Sequence, residues 1–186
     1  MNAPILGGMS VFANQSIIRV IILVVDGVSL TTVSTALEPF QQVNSMLGED
    51  RFHIQLVSLS STDPMTSAGI PIPCHLTSTD VLAKLKLQNR PDLLILCCGQ
   101  VTSSINQASA GKFVQKFVRQ NVPVFALGAA CFIAAKAAMI KGGKCTTHWK
   151  MISSLAEQFP ALEVQNVLYV LDGRISSCAG EFATFD

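Results

Sequence analysis

Apolar and polar positions along the chain switch repeatedly between strand-like and helix-like spacing. Ile17–Val25 is an apolar, largely β-branched run broken only by Arg19 and closed by Asp26-Gly27. Such a run reads as a central parallel strand covered on both faces. From Thr31 to about Leu47 the pattern turns helical, with Val33, Leu37, Phe40 and Val43 on one stripe and Gly48 just past the end. Phe52–Ser60 predicts a second strand. Ser61–Ile72, with two prolines and a glycine, predicts a loop with a short extended piece. Thr77-Ser78-Thr79-Asp80 is a helix start before a short helix over Val81–Leu87. Pro91-Asp92 leads into a strand at Leu93–Cys98. Gln107–Gln120 follows as an amphipathic helix with Phe113, Phe117 and Val118 inward. Val122–Leu127 predicts a strand, and Ala129–Ile140 an alanine-rich buried helix stopped by Gly142-Gly143. Trp149–Phe159 predicts a helix ending before Pro160. Val164–Leu171 and Arg174–Ser177 flank Asp172-Gly173, a strong hairpin signal.

Strands that alternate with helices pair in parallel and carry helices on both faces. The expected fold is therefore α/β: a flavodoxin-like three-layer sandwich of about five or six strands, mostly parallel, with an antiparallel edge hairpin. Residues 1–16 are small, polar and aperiodic, and read as a flexible arm; residues 17–186 read as one domain. A further helix is expected from about Glu181, so the end at Asp186 falls inside an element and suggests a cut.

Composition narrows the classes. Of the 186 residues, 49% are hydrophobic and 13% charged, which excludes disorder and fits a sheet buried on both faces. A net charge of +1 without a basic block leaves no nucleic-acid footprint in these residues. The longest apolar run is shorter than the roughly 20 residues that span a bilayer, and no charged start precedes it. A cytoplasmic location is the default expectation. The six cysteines, Cys74, Cys97, Cys98, Cys131, Cys145 and Cys178, read mostly as small buried hydrophobes, because a core this large needs no disulfide staples. Cys145-x-x-His148 and Cys74-His75 lack a second pair at matching spacing, so no metal is expected. His53 and His75 read as surface or loop residues. No phosphate-binding or dinucleotide glycine motif occurs, and no cofactor is expected.

Ligands of open parallel sheets bind beyond the carboxyl ends of the strands. That places candidate chemistry at Asp26–Thr32, Cys98-Gly99, Gly128–Cys131 and Thr146-Thr147-His148. Val122–Leu127 runs into its helix through Gly128-Ala129-Ala130 with almost no loop, in the manner of a nucleophile elbow.

Phe125 to Trp149 resembles the elbow, helix and Thr-Thr-His-Trp segment of the class I glutamine-amidotransferase-like (ThiJ/PfpI-like) domains of AraC-type regulators. Leu37-Glu38-Pro39-Phe40 resembles their first helix, and Pro91 to Gly99 their central strand. Phe159-Pro160, Asp172-Gly173-Arg174 and Cys178-Ala179-Gly180 resemble their closing hairpin and turn. The order and spacing of these segments, over about residues 18–186, carry the resemblance.

Carried over residue by residue, the resemblance places Gly128 where the superfamily's enzymes have a catalytic cysteine. It places Thr32 where they have an acidic partner, and His148 at their histidine. Thiolate chemistry needs a thiol and a group to activate it. The resemblance therefore implies a non-catalytic, small-metabolite-sensing domain. The expected ligand-binding residues are Thr32, Cys98, Gly99, Gly128, Ala129, Cys131 and His148. His148 is read either as a ligand contact or as a helix cap, and Cys131 either as a core residue or as a reactive thiol at a helix start. Glu38 is read as a paired or dimer-facing carboxylate, and Trp149 as packing beside the pocket. The resemblance further implies an amino-acid-like or quaternary-amine effector, a homodimer, and DNA contact only through a helix-turn-helix domain beyond Asp186. The alternative is a cysteine-dependent hydrolase or lyase of the ThiJ/PfpI type.

Overall fold

A computed structural model of the protein describes residues 17–60, 63–85, 90–99, 104–137, 142–173 and 175–184. The expected arm at 1–16 lies outside the described residues, as do Arg174 of the hairpin and Asp186.

A seven-stranded sheet organises the molecule. Its strands are β1 (Ile18–Val24), β2 (Phe52–Ser58), β3 (Leu76–Thr77), β4 (Leu93–Cys98), β5 (Val124–Gly128), β8 (Tyr169–Asp172) and β9 (Ile175–Cys178). They lie in the order β3-β2-β1-β4-β5-β9-β8, all parallel to their neighbours except β8, which returns antiparallel to β9. The chain builds outward from β1 through β2 and β3, then crosses to the other side of β1 with β4. This is a flavodoxin-like α/β sandwich, and the reversal of direction between β1 and β4 is the place where such sheets open a crevice.

Alternation along the strands feeds two cores. Ile21, Leu23, Leu94, Leu96, Val124 and Ala126 face helices α2 (Ser78–Lys84), α3 (Ser104–Arg119) and α4 (Ala130–Lys136). Val20, Ile22, Val24, Ile95 and Cys97 face helix α1 (Leu30–Leu47). Both faces are thus dry, which explains why the strands read as continuous apolar runs. Helix α5 (Ile152–Gln158) closes a smaller cluster with Cys131, Phe132, Cys145 and Leu162.

Local chemistry sets the helix ends. Gly48 terminates α1 at φ 67°, and Thr77 begins α2 in a capping box with Asp80. Three expectations are corrected. Val164–Leu171 is not one strand: β7 (Glu163–Val164) pairs in parallel with β6 (Lys144–Cys145), and only Tyr169–Asp172 joins the hairpin. Gln165-Asn166 interrupts the apolar run, and the pairing partner changes across the gap. Helix α3 begins at Ser104, ahead of Gln107. The helix expected from Trp149 opens as a 3₁₀ turn at Trp149–Met151, closed by the Met151 amide on the His148 carbonyl at 2.7 Å, with the His148 ring nitrogen capping the Lys150 amide at 3.4 Å.

The crevice is held open by backbone laid on backbone. Gly27, at φ 80°, ends the turn after β1 and donates to the Met65 carbonyl at 2.7 Å. The Asp26 carboxylate in turn accepts the Met65 amide at 2.9 Å. Gly99, just past β4, lies so close to this turn that a Cβ there would stand 1.6 Å from the Gly27 carbonyl oxygen. Only glycine fits without moving one of the two loops. Gly99→Ala should therefore cost about 2–4 kcal/mol of folding stability. Gly69→Ala, at φ 75° with open space around its Cβ, should cost only about 1 kcal/mol of backbone strain. Urea unfolding of both variants checks the difference; equal losses would show that the loop contact carries no weight.

Candidate functional site

A cleft of about 670 Å³ opens at the switch point. The turn after β1 supplies Gly27 and Ser29, and the first turn of α1 supplies Thr32. The end of β4 supplies Cys98 and Gly99, and the turn from β5 into α4 supplies Gly128 and Ala129. His148 to Met151 and Ala179 to Glu181 complete the walls, with Ser67 from the loop before β3.

Gly128 is the bend itself. Its φ of 62° lies in the left-handed region, as a strand-to-helix elbow with no loop requires. The modest Cβ contacts there, with the Cys98 carbonyl oxygen nearest at 3.4 Å, show space for a side chain that the sequence does not provide. Gly180, at φ 81°, packs against the bend: a Cβ on it would lie 2.8 Å from the Gly128 Cα. The Thr147 hydroxyl donates to the Gly128 carbonyl at 2.9 Å. Thr146 is tied on both sides. Its amide donates to the Ser177 hydroxyl at 2.9 Å and its own hydroxyl to the Val167 carbonyl at 2.8 Å. These two buried threonines lock the segment to the sheet, and the lock sets His148 at the cleft wall. His148 is thus both cap and cleft residue.

Of the seven ligand-binding residues expected from sequence, Thr32, Cys98, Gly99, Gly128, Ala129 and His148 line the cleft. Cys131 does not, and that expectation is corrected. Its side chain is 0% exposed and turned into the cluster around α5, where its thiol is hydrogen-bonded with Cys145. That hydrogen bond and burial push its pKa far up, so the α4 start holds no thiolate. Trp149 stands beside the cleft as expected, but 67% exposed on its rim, with its ring 5.7 Å from the His148 ring and the Lys150 ammonium 5.1 Å from its centroid. Glu38 is exposed and carries no ion pair among the described residues. His75 is structural, its ring nitrogen accepting the Leu56 amide at 3.0 Å.

Cys98 is the one cysteine on the cleft wall, and burial pushes its pKa up to about 12. Its thiol lies 3.4 Å from the Gly99 carbonyl, to which it donates. At neutral pH it is a weak donor, not a nucleophile. Thr32, only 4% exposed, accepts the Glu181 amide at 3.0 Å on its hydroxyl, so α1 is tied to the turn that follows β9. No group of three or more His, Cys, Asp or Glu side chains among the described residues is arranged to hold a metal ion.

Sequence reasoning missed Ser67, Lys150, Met151 and the Ala179–Glu181 turn. Ser67 sits in a loop whose contact with the β1 turn, Ser67 amide to Val28 carbonyl at 2.9 Å, has no local signature. The Gly180 turn carried a signal: an Ala-Gly pair directly after the last strand, where close backbone approach demands glycine.

Comparison with known proteins agrees with this architecture. The chain is 22% identical over 175 residues to the HTH-type transcriptional regulator GlxA of Rhizobium meliloti (strain 1021), covering 93% of this chain and 52% of that protein. It is 25% identical over 167 residues to the HTH-type transcriptional regulator GbdR of Pseudomonas aeruginosa (strain UCBPP-PA14), covering 88% of this chain and 43% of that one. The chain thus spans about half the length of the curated relatives it matches. Among solved structures, an AraC family transcriptional regulator from Pseudomonas putida superposes with a TM-score of 0.76 at 18% identity, covering 90% of this chain and 86% of that one. Among the described residues, no helix is long and apolar enough to cross a membrane. The family model for DJ-1/PfpI matches residues 18–185, so this chain, with its flavodoxin-like sheet and glycine elbow, belongs to the DJ-1/PfpI family.

Proposed function

We propose that residues 17–186 are the effector-sensing and dimerising module of a bacterial AraC-type transcription regulator. The module binds a small metabolite in the cleft and performs no covalent chemistry. The relatives that are named as HTH-type regulators support the regulatory role. DNA contact belongs, in this reading, to a helix-turn-helix domain outside these residues, because the chain has a net charge of only +1. The observation that carries the reading is Gly128: the bend that positions a nucleophile in an elbow has no side chain here, while the cleft around it stays open. Thr32 adds to this, because its hydroxyl is engaged by the Glu181 amide and holds no proton-accepting carboxylate. An amino-acid-like or quaternary-amine effector fits a cleft with backbone amides, an imidazole and an indole on its wall. A ligand signals only if it prefers one arrangement of the dimer over another.

Two outcomes test the reading. In a thermal-shift screen of small metabolites, at least one compound raises Tm. Ser29→Trp abolishes that shift, because Ser29 lines the cleft and its side chain makes no capping bond that would be lost. A shift that survives in this variant places the ligand elsewhere. Second, iodoacetamide at neutral pH leaves Cys98 and Cys131 of the folded protein unmodified. Because the Cys98 pKa is raised to about 12, its thiolate fraction and labelling rate rise about tenfold for each unit of pH above neutrality. A fast, single modification of either cysteine at pH 7, read by peptide mass spectrometry, would favour the ThiJ/PfpI-type hydrolase or lyase instead.

A further inference from the structure

All six cysteines of the chain are thiols, and the fold brings two of them together. Cys97 and Cys98 are neighbours on β4 but belong to the cores on opposite faces of the sheet. Cys178 lies on β9, where Leu127 of β5 stands between it and Cys97. Two strand spacings separate that pair, about 10 Å. A disulfide joins Cα atoms no more than about 7 Å apart. Cys74 precedes His75, whose amide is bonded to β2, so β1 lies between it and β4. Cys131 and Cys145 share one small cluster, and the Cys131 thiol donates a hydrogen bond to the Cys145 sulfur. Two thiols in such contact meet the first condition for closing a disulfide.

Their place in the chain gives the pair its consequence. Cys131 stands in the first turn of α4, three residues past Gly128. Cys145 ends β6, three residues before His148. Gly128 and His148 line the cleft, whereas both thiols are fully buried behind it. One bond already runs between these two walls, from the Thr147 hydroxyl to the Gly128 carbonyl. A disulfide would add a covalent tie beside it. The cluster that holds the thiols is also the least secured of the three. Strands β6 and β7 are two residues each and α5 is seven, so local opening exposes the thiols without unfolding the main sheet.

We propose that Cys131 and Cys145 are a dithiol that a hydroperoxide closes to a disulfide, fastening the elbow wall of the cleft to its histidine wall. Cys145 reacts first, because the hydrogen bond it accepts from Cys131 favours its thiolate. Its sulfur attacks the terminal peroxide oxygen, the O–O bond breaks, and the departing alkoxide takes up a proton. Cys131 then gives up its proton and bonds to the sulfenic sulfur of Cys145, whose hydroxyl leaves with that proton as water. Two thiols and one hydroperoxide yield one disulfide, one alcohol and one water. The reaction modifies the protein and leaves a cleft ligand untouched, so it stands or falls separately from the binding role proposed above. A cytoplasmic disulfide of this kind is a transient signal, not a staple.

Hydrogen peroxide is the probe, applied to the whole reduced chain in its folded state. Thiols are counted after quenching and denaturation, and bridges are mapped by peptide mass spectrometry. The six thiols should fall to four, with one bridge between Cys131 and Cys145, and dithiothreitol should restore all six. In Cys131→Ser the first sulfur has no thiol to resolve it, so Cys145 collects as sulfenic and then sulfinic acid. In Cys145→Ser the Cys131 thiol stays reduced under the same treatment. Amide exchange at His148–Met151 should slow several-fold in the oxidised wild type, because the wall is tied at a second point. Survival of all six thiols overturns the proposal, as does a bridge or oxygen adduct that forms first at Cys98 or another cysteine. Oxidation of Cys131 in Cys145→Ser as fast as that of Cys145 in Cys131→Ser overturns the assigned order of steps. A bridge that leaves exchange at His148–Met151 unchanged overturns the fastening of the two walls. The mapping of the wild-type bridge needs no variant, so a poorly folding serine variant leaves the central test intact.

Discussion

The close approach of bare backbone at the carboxyl edge of the sheet is the constraint on which the rest depends. Gly99 meets the Gly27 carbonyl, and Gly180 meets the Gly128 Cα, at separations no Cβ tolerates. These contacts draw the loops after β1, β4, β5 and β9 into one ring around the switch point. Hydrophobic burial alone would not do so, because it is non-directional and acts on strand and helix faces below the rim. The ring is pinned by directional bonds instead: Gly27 to Met65, Thr147 to Gly128, Glu181 to Thr32. A cleft therefore exists in the folded chain before any ligand arrives, and binding need not bear the full entropy of ordering four loops.

The same ring fixes the backbone state of the elbow. A strand-to-helix bend in the left-handed region is easiest for glycine, so Gly128 relaxes a strain that a cysteine there would carry. The buried thiols nearby do not take over its role. Burial holds Cys98 protonated, and Cys131 is turned away into the cluster it shares with Cys145. What remains at the elbow is shape, backbone amides and an imidazole, the parts on which the proposed binding without covalent chemistry rests.

Much of this was legible in the residues. Buried parallel strands announce themselves as continuous apolar runs, and β1, β4 and β5 fall within two residues of their expected ends. The hairpin at Asp172-Gly173 and the cap at Thr77 follow from local rules that act over four residues. Six of the seven expected cleft residues are in place because strand ends fix where a switch-point crevice must be. Cys131 was misplaced because one helical step decides whether a side chain faces crevice or core, and the sequence does not show where the turn into α4 ends. Strands β3, β6 and β7 are two residues long and too short to show a period. The Ala179–Glu181 wall joins the site through contacts with Gly128 and with Thr32, the latter nearly the whole domain away in sequence.

The two locked threonines have a consequence for how such a cleft changes over time. Thr146 and Thr147 anchor the segment through their own hydroxyls, whereas Trp149 and Lys150, just beyond His148, stand exposed on the rim and bear none of that load. Foundation and threshold are thus separate parts of one short segment. In the proposed sensing role, variation at the threshold would alter which guest is admitted while the foundation stays sound, so one scaffold could be retuned to many chemical signals without first being rebuilt.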